Sequence, residues 1–259
     1  DNGNIQNSFS INEYMAQGYR VKYADESIFI SGLSEEASNF ILVKMDLEGN
    51  VIWDQSYGGN SDDHCFGMDV NPNGEIFLVG HTLSGTENWD TYTIKVDFNG
   101  ELLWERSIGN PRGFDPEYIH DEAWGVKATN DGGCVTIAGT GDEYNEYSEC
   151  NGQECSDIWR AYLIKFDGEG QVEWESLFSP LQISEDNNDW AGEDIDLTED
   201  GGAIIAVDNG QFGFLRIENV QNSLIIDNKK PVTDDFKLLS NFPNPFNSST
   251  IIKYKLNDK

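Results

Sequence analysis

The chain has 259 residues, 38% of them hydrophobic and 12% aromatic, enough for a substantial core. Against 16 Lys and Arg stand 47 Asp and Glu, a formal charge of -31, and a polyanion of that strength repels nucleic acid and anionic membrane surfaces. Cations, neutral sugars and basic proteins are the partner classes left, and since no run reaches the roughly 18 apolar residues of a membrane helix, no membrane span is expected.

Asp1 opens the chain without Met or an apolar leader, as in a chain that has been processed or cut. In residues 1–11, DNGNIQNSFSI, the triplet Gly3-Asn4-Ile5 matches Gly49-Asn50-Val51 further on, so residues 3–11 are expected to form the outermost strand of a blade. From there three segments share one pattern: NFILVKMDLEGNVIW (39–53), DTYTIKVDFNGELLW (90–104) and RAYLIKFDGEGQVEW (160–174). Each reads as strand, Lys-x-Asp-x-x-Gly turn, and strand carrying a Trp, with Lys44, Lys95 and Lys165, Asp46, Asp97 and Asp167, Gly49, Gly100 and Gly170, and Trp53, Trp104 and Trp174 in register. A fourth copy, FGFLRIEN, keeps Arg216 and Glu218 but lacks the Gly and the Trp.

Ahead of each copy lies a turn feeding a short apolar run, ADESIFISG, PNGEIFLVG, NDGGCVTIAG and EDGGAIIAV, and ahead of that an alternating segment such as GMDVN or GVKAT. No helical periodicity appears in 1–220. Units of three or four antiparallel strands at a period of about 50 to 70 residues predict an all-β fold, a β-propeller of four-stranded antiparallel blades. One such sheet cannot bury both faces until neighbours stack on it. The repeated Gly suits positive-φ turn positions, the Asp caps those turns, and the Trp fills the space between blades. Four blades are expected, either closed into a ring by the amino-terminal strand or forming part of a larger ring whose fourth blade is completed by SLIID (223–227).

The repeats resemble the tryptophan-docked repeats of quinoprotein dehydrogenases, with a spacing one residue shorter and without an adjacent cysteine pair or clustered cofactor ligands. They are more similar to the Gly-Gly, Lys-x-Asp-x-x-Gly-x-x-x-Trp propellers of secreted bacterial proteins. Cys150 and Cys155 bracket a short polar loop, CNGQEC, that suits a local disulfide outside the cytoplasm, whereas Cys65 and Cys134 lie in apolar strand patterns and read as buried thiols.

Residues 1–220 are therefore assigned to propeller repeats, 221–236 to a linker containing NKKPVTDD, and 237–259 to a further module. In that module two X-Pro steps force extended or turn geometry ahead of STIIKYKL, which alternates as a strand. Leu239, Asn241, Phe242, Pro243, Asn244, Pro245, Phe246, Asn247, Thr250, Ile251, Tyr254 and Leu256 resemble the start of the carboxy-terminal sorting domain of the type IX secretion system of Bacteroidetes. The match covers residues 238–256 and not that domain's later glycine-rich strands, so it stands for an incomplete sorting module of β-sandwich type. The resemblance implies type IX secretion machinery as a partner and an extracellular or outer-surface location.

Loops between second and third strands, and between blades, are expected to grow on one face of the propeller and to carry binding. The long ones, 107–124, 139–159 and 179–190, are rich in Asp, Glu and Asn, and they supply the candidate ligand-binding residues Tyr118, His120, Asp121, Trp124, Tyr144 and Trp190. Exposed aromatics suit stacking on sugars, and carboxylates with amide oxygens suit calcium. Trp89 and Trp159 occupy matching positions and read as packing residues. No catalytic residue is assigned. His64, His81 and His120 stand in no metal spacing, although His120-Asp121-Glu122 is the best acid/base cluster. The reading is a secreted or cell-surface binding or scaffold module for a glycan or surface protein. Its rival is an extracellular polysaccharide-degrading or quinoprotein-like propeller enzyme.

Overall fold

The computed structural model describes residues 3, 5, 7–34, 38–151, 154–178, 189–208, 213–220, 236–242 and 251–256. The chain divides into two units, Asp1–Ser223 and Leu224–Lys259. In the first, strands β1 (Gln17–Ala24), β2 (Ser27–Leu33), β3 (Phe40–Met45) and β4 (Val51–Tyr57) form one sheet in sequence order, and β5 (Asp63–Asn71), β6 (Glu75–Thr82), β7 (Asp90–Asp97) and β8 (Leu102–Ile108) form a second. The third sheet contains β9 (His120–Ala128), β10 (Cys134–Gly141), β13 (Arg160–Phe166) and β14 (Val172–Phe178), and β11 (Cys150–Asn151) and β12 (Glu154–Cys155) make a small hairpin inside its longest loop. The fourth contains β15 (Ala191–Leu197), β16 (Ala203–Asp208) and β17 (Gly213–Ile217). All pairings are antiparallel, as a propeller blade requires, and the fourth blade has three strands among the described residues; 221–227 lie outside them.

One turn is built three times. Asp46 accepts the backbone N–H groups of Glu48 and Asn50, Asp97 those of Asn99 and Glu101, and Asp167 those of Glu169 and Gln171, all at 2.7–3.0 Å. Gly49, Gly100 and Gly170 sit at φ of 92°, 85° and 76° within these turns, a conformation that costs other residues a steric clash. The turn glycine also has a tertiary role. A Cβ on Gly170 would fall 2.6 Å from the Trp104 ring, and one on Gly100 3.3 Å from that of Trp53, so each indole rests on the turn of the next blade.

The core is a stack of interblade layers. Phe29, Phe40 and Leu42 of the first sheet meet Ile76, Leu78 and Ile94 of the second; Phe77, Val79 and Trp104 meet Cys134, Tyr162 and Phe166 of the third; Val135, Ile137 and Leu163 meet Ile195, Ile205 and Val207 of the fourth. Two of the repeated lysines, Lys95 and Lys165, are buried structural cations. Lys165 pairs with Asp131 at 2.7 Å and Glu173 at 3.0 Å, and Lys95 pairs with Glu75 at 2.6 Å while donating to the carbonyls of Gly132 and Gly168. Cys65 and Cys134 are buried free thiols, and Cys150 and Cys155 form a disulfide. Burial pushes the Cys65 thiol up to about 12.

The amino-terminal strand expected over 3–11 is not found in the described part of that segment. Ile11, Tyr14 and Met15 instead pack across the face of the first blade against Ile41 and Val43, and Phe9 lies where a Cβ on Gly49 would fall, 2.2 Å from its ring. Apolar burial against a ready-made sheet face thus replaces edge pairing. The second unit is described by β18 (Phe236–Phe242) and β19 (Ile251–Leu256), an antiparallel pair with Asn241 opposite Ile252. Pro243, Asn244, Pro245, Phe246 and Asn247 lie outside the described residues.

Candidate functional site

The innermost strand of every blade carries the same irregularity. The pairing register skips one residue between Gly18 and Arg20, Cys65 and Gly67, Ala123 and Gly125, and Gly192 and Asp194. The extra residue is Tyr19, Phe66, Trp124 or Glu193. A bulge re-aims its side chain out of the pleat, and here the re-aimed side chains meet: the rings of Tyr19 and Phe66 are 4.8 Å apart and those of Phe66 and Trp124 4.4 Å. His81 completes this aromatic row, 4.7 Å from Trp89, 5.1 Å from Phe66 and 5.2 Å from His64. Burial, with His64 and His120 nearby, pushes His81 down to about 4 against the pull of Glu122, so its imidazole is neutral.

At the end of the row a cleft of about 340 Å3 opens between the third and fourth blades, lined by Glu122, Trp124, Glu143, Trp159, Glu193 and Asp208, with Asp189 and Ala191. Trp159 lies flat on β10 because Gly139 and Gly141 have no side chain; a Cβ at either would fall within 2.9 Å of the indole. Its backbone N–H donates to Asp189 at 2.9 Å and its carbonyl accepts the Trp190 N–H at 2.9 Å. Burial, then Asp208 and Glu122, holds the Glu193 carboxyl above its usual range.

At the cleft rim His120, the first residue of β9, faces two carboxylates. Its Nδ1 lies 3.0 Å from Glu143 Oε2 and 3.3 Å from Glu122 Oε1, and one ligand atom from each of the three lies within 4.8 Å of the others. Glu122 arrives from β9 two residues on, whereas Glu143 arrives from the loop after β10. That loop is folded by Asp142, whose carboxylate accepts the N–H groups of Tyr144 and Tyr147, by the Ser156 hydroxyl donating to the Tyr147 carbonyl, and by the disulfide. Arg112 ties the preceding interblade loop to it through the carbonyls of Cys155 and Ile158.

The residues singled out from sequence divide between this site and the frame. His120 and Trp124 belong to the site. Tyr144, 67% exposed, packs edge-on to His120 with centroids 5.4 Å apart, and Tyr118 stacks on Tyr147 at 4.9 Å on the same loops. Asp121 is buried and accepts the Asn110 N–H at 2.5 Å; burial pushes its carboxyl up to about 7, with Asp90 adding to the shift and Arg112 opposing it. It repeats Asp63, which caps Gly59 at 2.7 Å and holds Thr82, so both are frame residues. Trp190 packs in the layer between the third and fourth blades. Sequence reading missed Glu143, Glu193 and Phe66 and took Trp159 for packing alone. The available signal was the small residue before each bulge, Gly18, Cys65, Ala123 and Gly192, followed by a break in alternation.

No family model matches the sequence, and no curated protein matches it. Solved structures similar to it include a protein of unknown function from Bacteroides caccae, with TM-score 0.41 and 11% identity over 78% of this chain and 59% of that one. Others are MPT-4, a mannose phosphorylase from Leishmania mexicana in complex with phosphate ion (0.42, 10%, 77% and 66%), and a hypothetical protein from Leishmania major (0.32, 8%, 76% and 65%). The chain thus spans 59% to 66% of the length of these proteins. At such scores the likeness adds nothing to the chemistry of the cleft. No helix among the described residues is long and apolar enough to cross a membrane.

Proposed function

We propose that the protein is a secreted or cell-surface propeller that binds carbohydrate in the cleft between its third and fourth blades. The observation that carries this reading is the pairing of two indoles, Trp124 and Trp159, with Glu122, Glu193 and Asp208 around one concavity. Indole faces stack on the apolar side of a sugar ring, and carboxylates accept its hydroxyls. At about 340 Å3 the cleft stands near the lower end of ligand sites, about 300 to 1,000 Å3, which suits a short glycan segment. The local negative charge selects neutral or basic glycans over uronates and sulfated chains.

A panel of neutral oligosaccharides tested by calorimetry should yield a ligand, and Trp159→Ala and Trp124→Ala should each weaken it about tenfold or more. Absence of any ligand, or binding that both variants leave unchanged, rejects the reading. Export through the type IX system is proposed from the resemblance around Asn241 and Pro243–Asn247. In a host that carries the machinery, inactivating it should strand the protein in the periplasm; unchanged delivery to the surface sinks that part.

The raised carboxyl of Glu193 beside Glu122 and Asp208 favours a second reading, glycoside cleavage with Glu193 as proton donor. Under it, release of reducing ends from the bound glycan is lost in Glu193→Gln while binding persists. Intact glycan after prolonged incubation excludes it.

A further inference from the structure

Three donors at the cleft rim converge more closely than a sugar site requires. His120 Nδ1 stands 3.0 Å from one Glu143 oxygen and 3.3 Å from one Glu122 oxygen, yet a ring nitrogen carries one proton at most and serves only one of them well. A shared cation serves both. Ligand atoms on a tetrahedral ion with bonds of about 2.0 to 2.2 Å sit about 3.3 to 3.6 Å apart; the two spacings from His120 are 3.0 and 3.3 Å, and the three ligand atoms all lie within 4.8 Å of one another, a distance that a small rotation of the exposed Glu143 closes. The histidine is also a built feature: its side chain is 4% exposed, it begins β9 opposite Gly141, and Tyr144 covers its ring.

We infer that His120, Glu122 and Glu143 form a divalent transition-metal site of the zinc class, with its remaining coordination positions open toward the cleft. One imidazole and two carboxylates is a borderline donor set. Calcium takes six to eight oxygens and gains little from imidazole, so the calcium expected from the Asp, Glu and Asn content of these loops is not the ion that this set selects. Asp142, Ser156, Arg112 and the disulfide all fix the segment that delivers Glu143, as presenting a ligand to an ion requires. An ion here also places a Lewis acid beside Trp124, where a sugar hydroxyl or a water completes the coordination. The inference does not rest on the glycan reading, because zinc binding is measured without sugar.

Tag-free protein is stripped with EDTA, dialysed and titrated calorimetrically with zinc chloride and, separately, calcium chloride. Cobalt substitution reports the coordination through its visible d–d bands. The expected result is one equivalent of zinc with a micromolar or tighter Kd, a raised Tm, and calcium binding at least about a hundredfold weaker. Glu143→Gln, on the exposed loop, should weaken zinc by about tenfold or more with the fold unchanged, and His120→Asn should remove the cobalt bands. If His120→Asn does not fold, Glu143→Gln decides alone. Weak, unsaturable zinc uptake, calcium binding as tight as zinc, or one-equivalent binding that Glu143→Gln leaves unchanged overturns the inference.

Discussion

Replacing Trp104 by alanine tests the interblade mechanism at its best-defined joint. Only 8% of the residue is exposed; its ring packs 5.6 Å from Phe166 and 6.0 Å from Phe77, lies on the Gly170 turn, and its Nε1–H donates to the Gly168 carbonyl at 3.1 Å. Truncating a buried Trp to Ala costs about 3–5 kcal/mol. The lost hydrogen bond adds at most about 1 kcal/mol, because the Gly168 carbonyl still accepts from Lys95 at 3.1 Å. Trp104→Phe, which keeps most of the contact, should cost about 1–2 kcal/mol. Gly170→Ala tests the same joint from the other side, since its Cβ would strike the indole and its φ of 76° is strained for alanine. Urea unfolding followed by circular dichroism gives the four stabilities of the Trp104→Ala and Gly170→Ala cycle. If the indole resting on the turn is the physical link, Gly170→Ala costs clearly less in the Trp104→Ala background, by about 1 kcal/mol or more. Strict additivity, or a Trp104→Ala loss under about 1 kcal/mol, refutes the reasoning.

Lys165→Met removes a fully buried cation from between Asp131 and Glu173, and a loss of roughly 3 kcal/mol in denaturant titration is expected. For Asp131 burial raises the carboxyl, but the hydrogen bonds from Lys165, Thr129 and Gly133 together hold it below the usual range, so its contribution is present above about pH 4 and lost as pH falls through the lower folded value. Stability measured between about pH 5 and 2 should therefore fall less in Lys165→Met than in the wild type, and equal slopes count against the pairing. Removing residues 1–15 bares the face around Ile41 and Val43, with a lower Tm and concentration-dependent self-association by light scattering as the expected outcome. A monomer with unchanged Tm would show that the segment contributes nothing.

What was legible in the sequence is what is local. The Asp–Gly turn carries its own hydrogen-bonding pattern and positive φ within five residues, so Asp46 to Asn50 and its two repeats could be read directly, and the Trp that follows falls on a fixed strand face. The bulges were not legible, because an extra residue in one strand is defined by the register of its partner; Trp124 and Glu193 alternate plausibly with their neighbours until β10 and β16 are paired beside them. Glu143 needed the fold of a long loop, which depends on Asp142 and on Arg112 from the preceding interblade loop. Asp121 reads as a ligand-binding residue because nothing in its immediate sequence separates it from an exposed loop acid. Its equivalence to Asp63 follows only from the matching cross-strand partners Thr140 and Thr82.

The burial of the four sheets links these points to the site. β6 and β10, with a blade on each side, are buried almost throughout, whereas β16 and β17 alternate strictly, their inward residues packed on the third blade and Phe214 left 66% exposed on the other side. The first sheet has no blade packed on its outer face among the described residues, yet Ile41 and Val43 there are buried, because Ile11, Tyr14 and Met15 stand in for one. Phe9 on Gly49 takes the position that Trp53 takes on Gly100 and Trp104 on Gly170, so the stand-in reproduces the aromatic-on-turn contact without forming a strand. Val21 and Tyr23, beyond the reach of this cover, remain 65% exposed. The site follows the same logic: the cleft opens where the fourth blade presents Glu193 at the bulge position that Tyr19, Phe66 and Trp124 fill with rings, and one carboxylate in a row of aromatics turns a packed axis into a polar concavity.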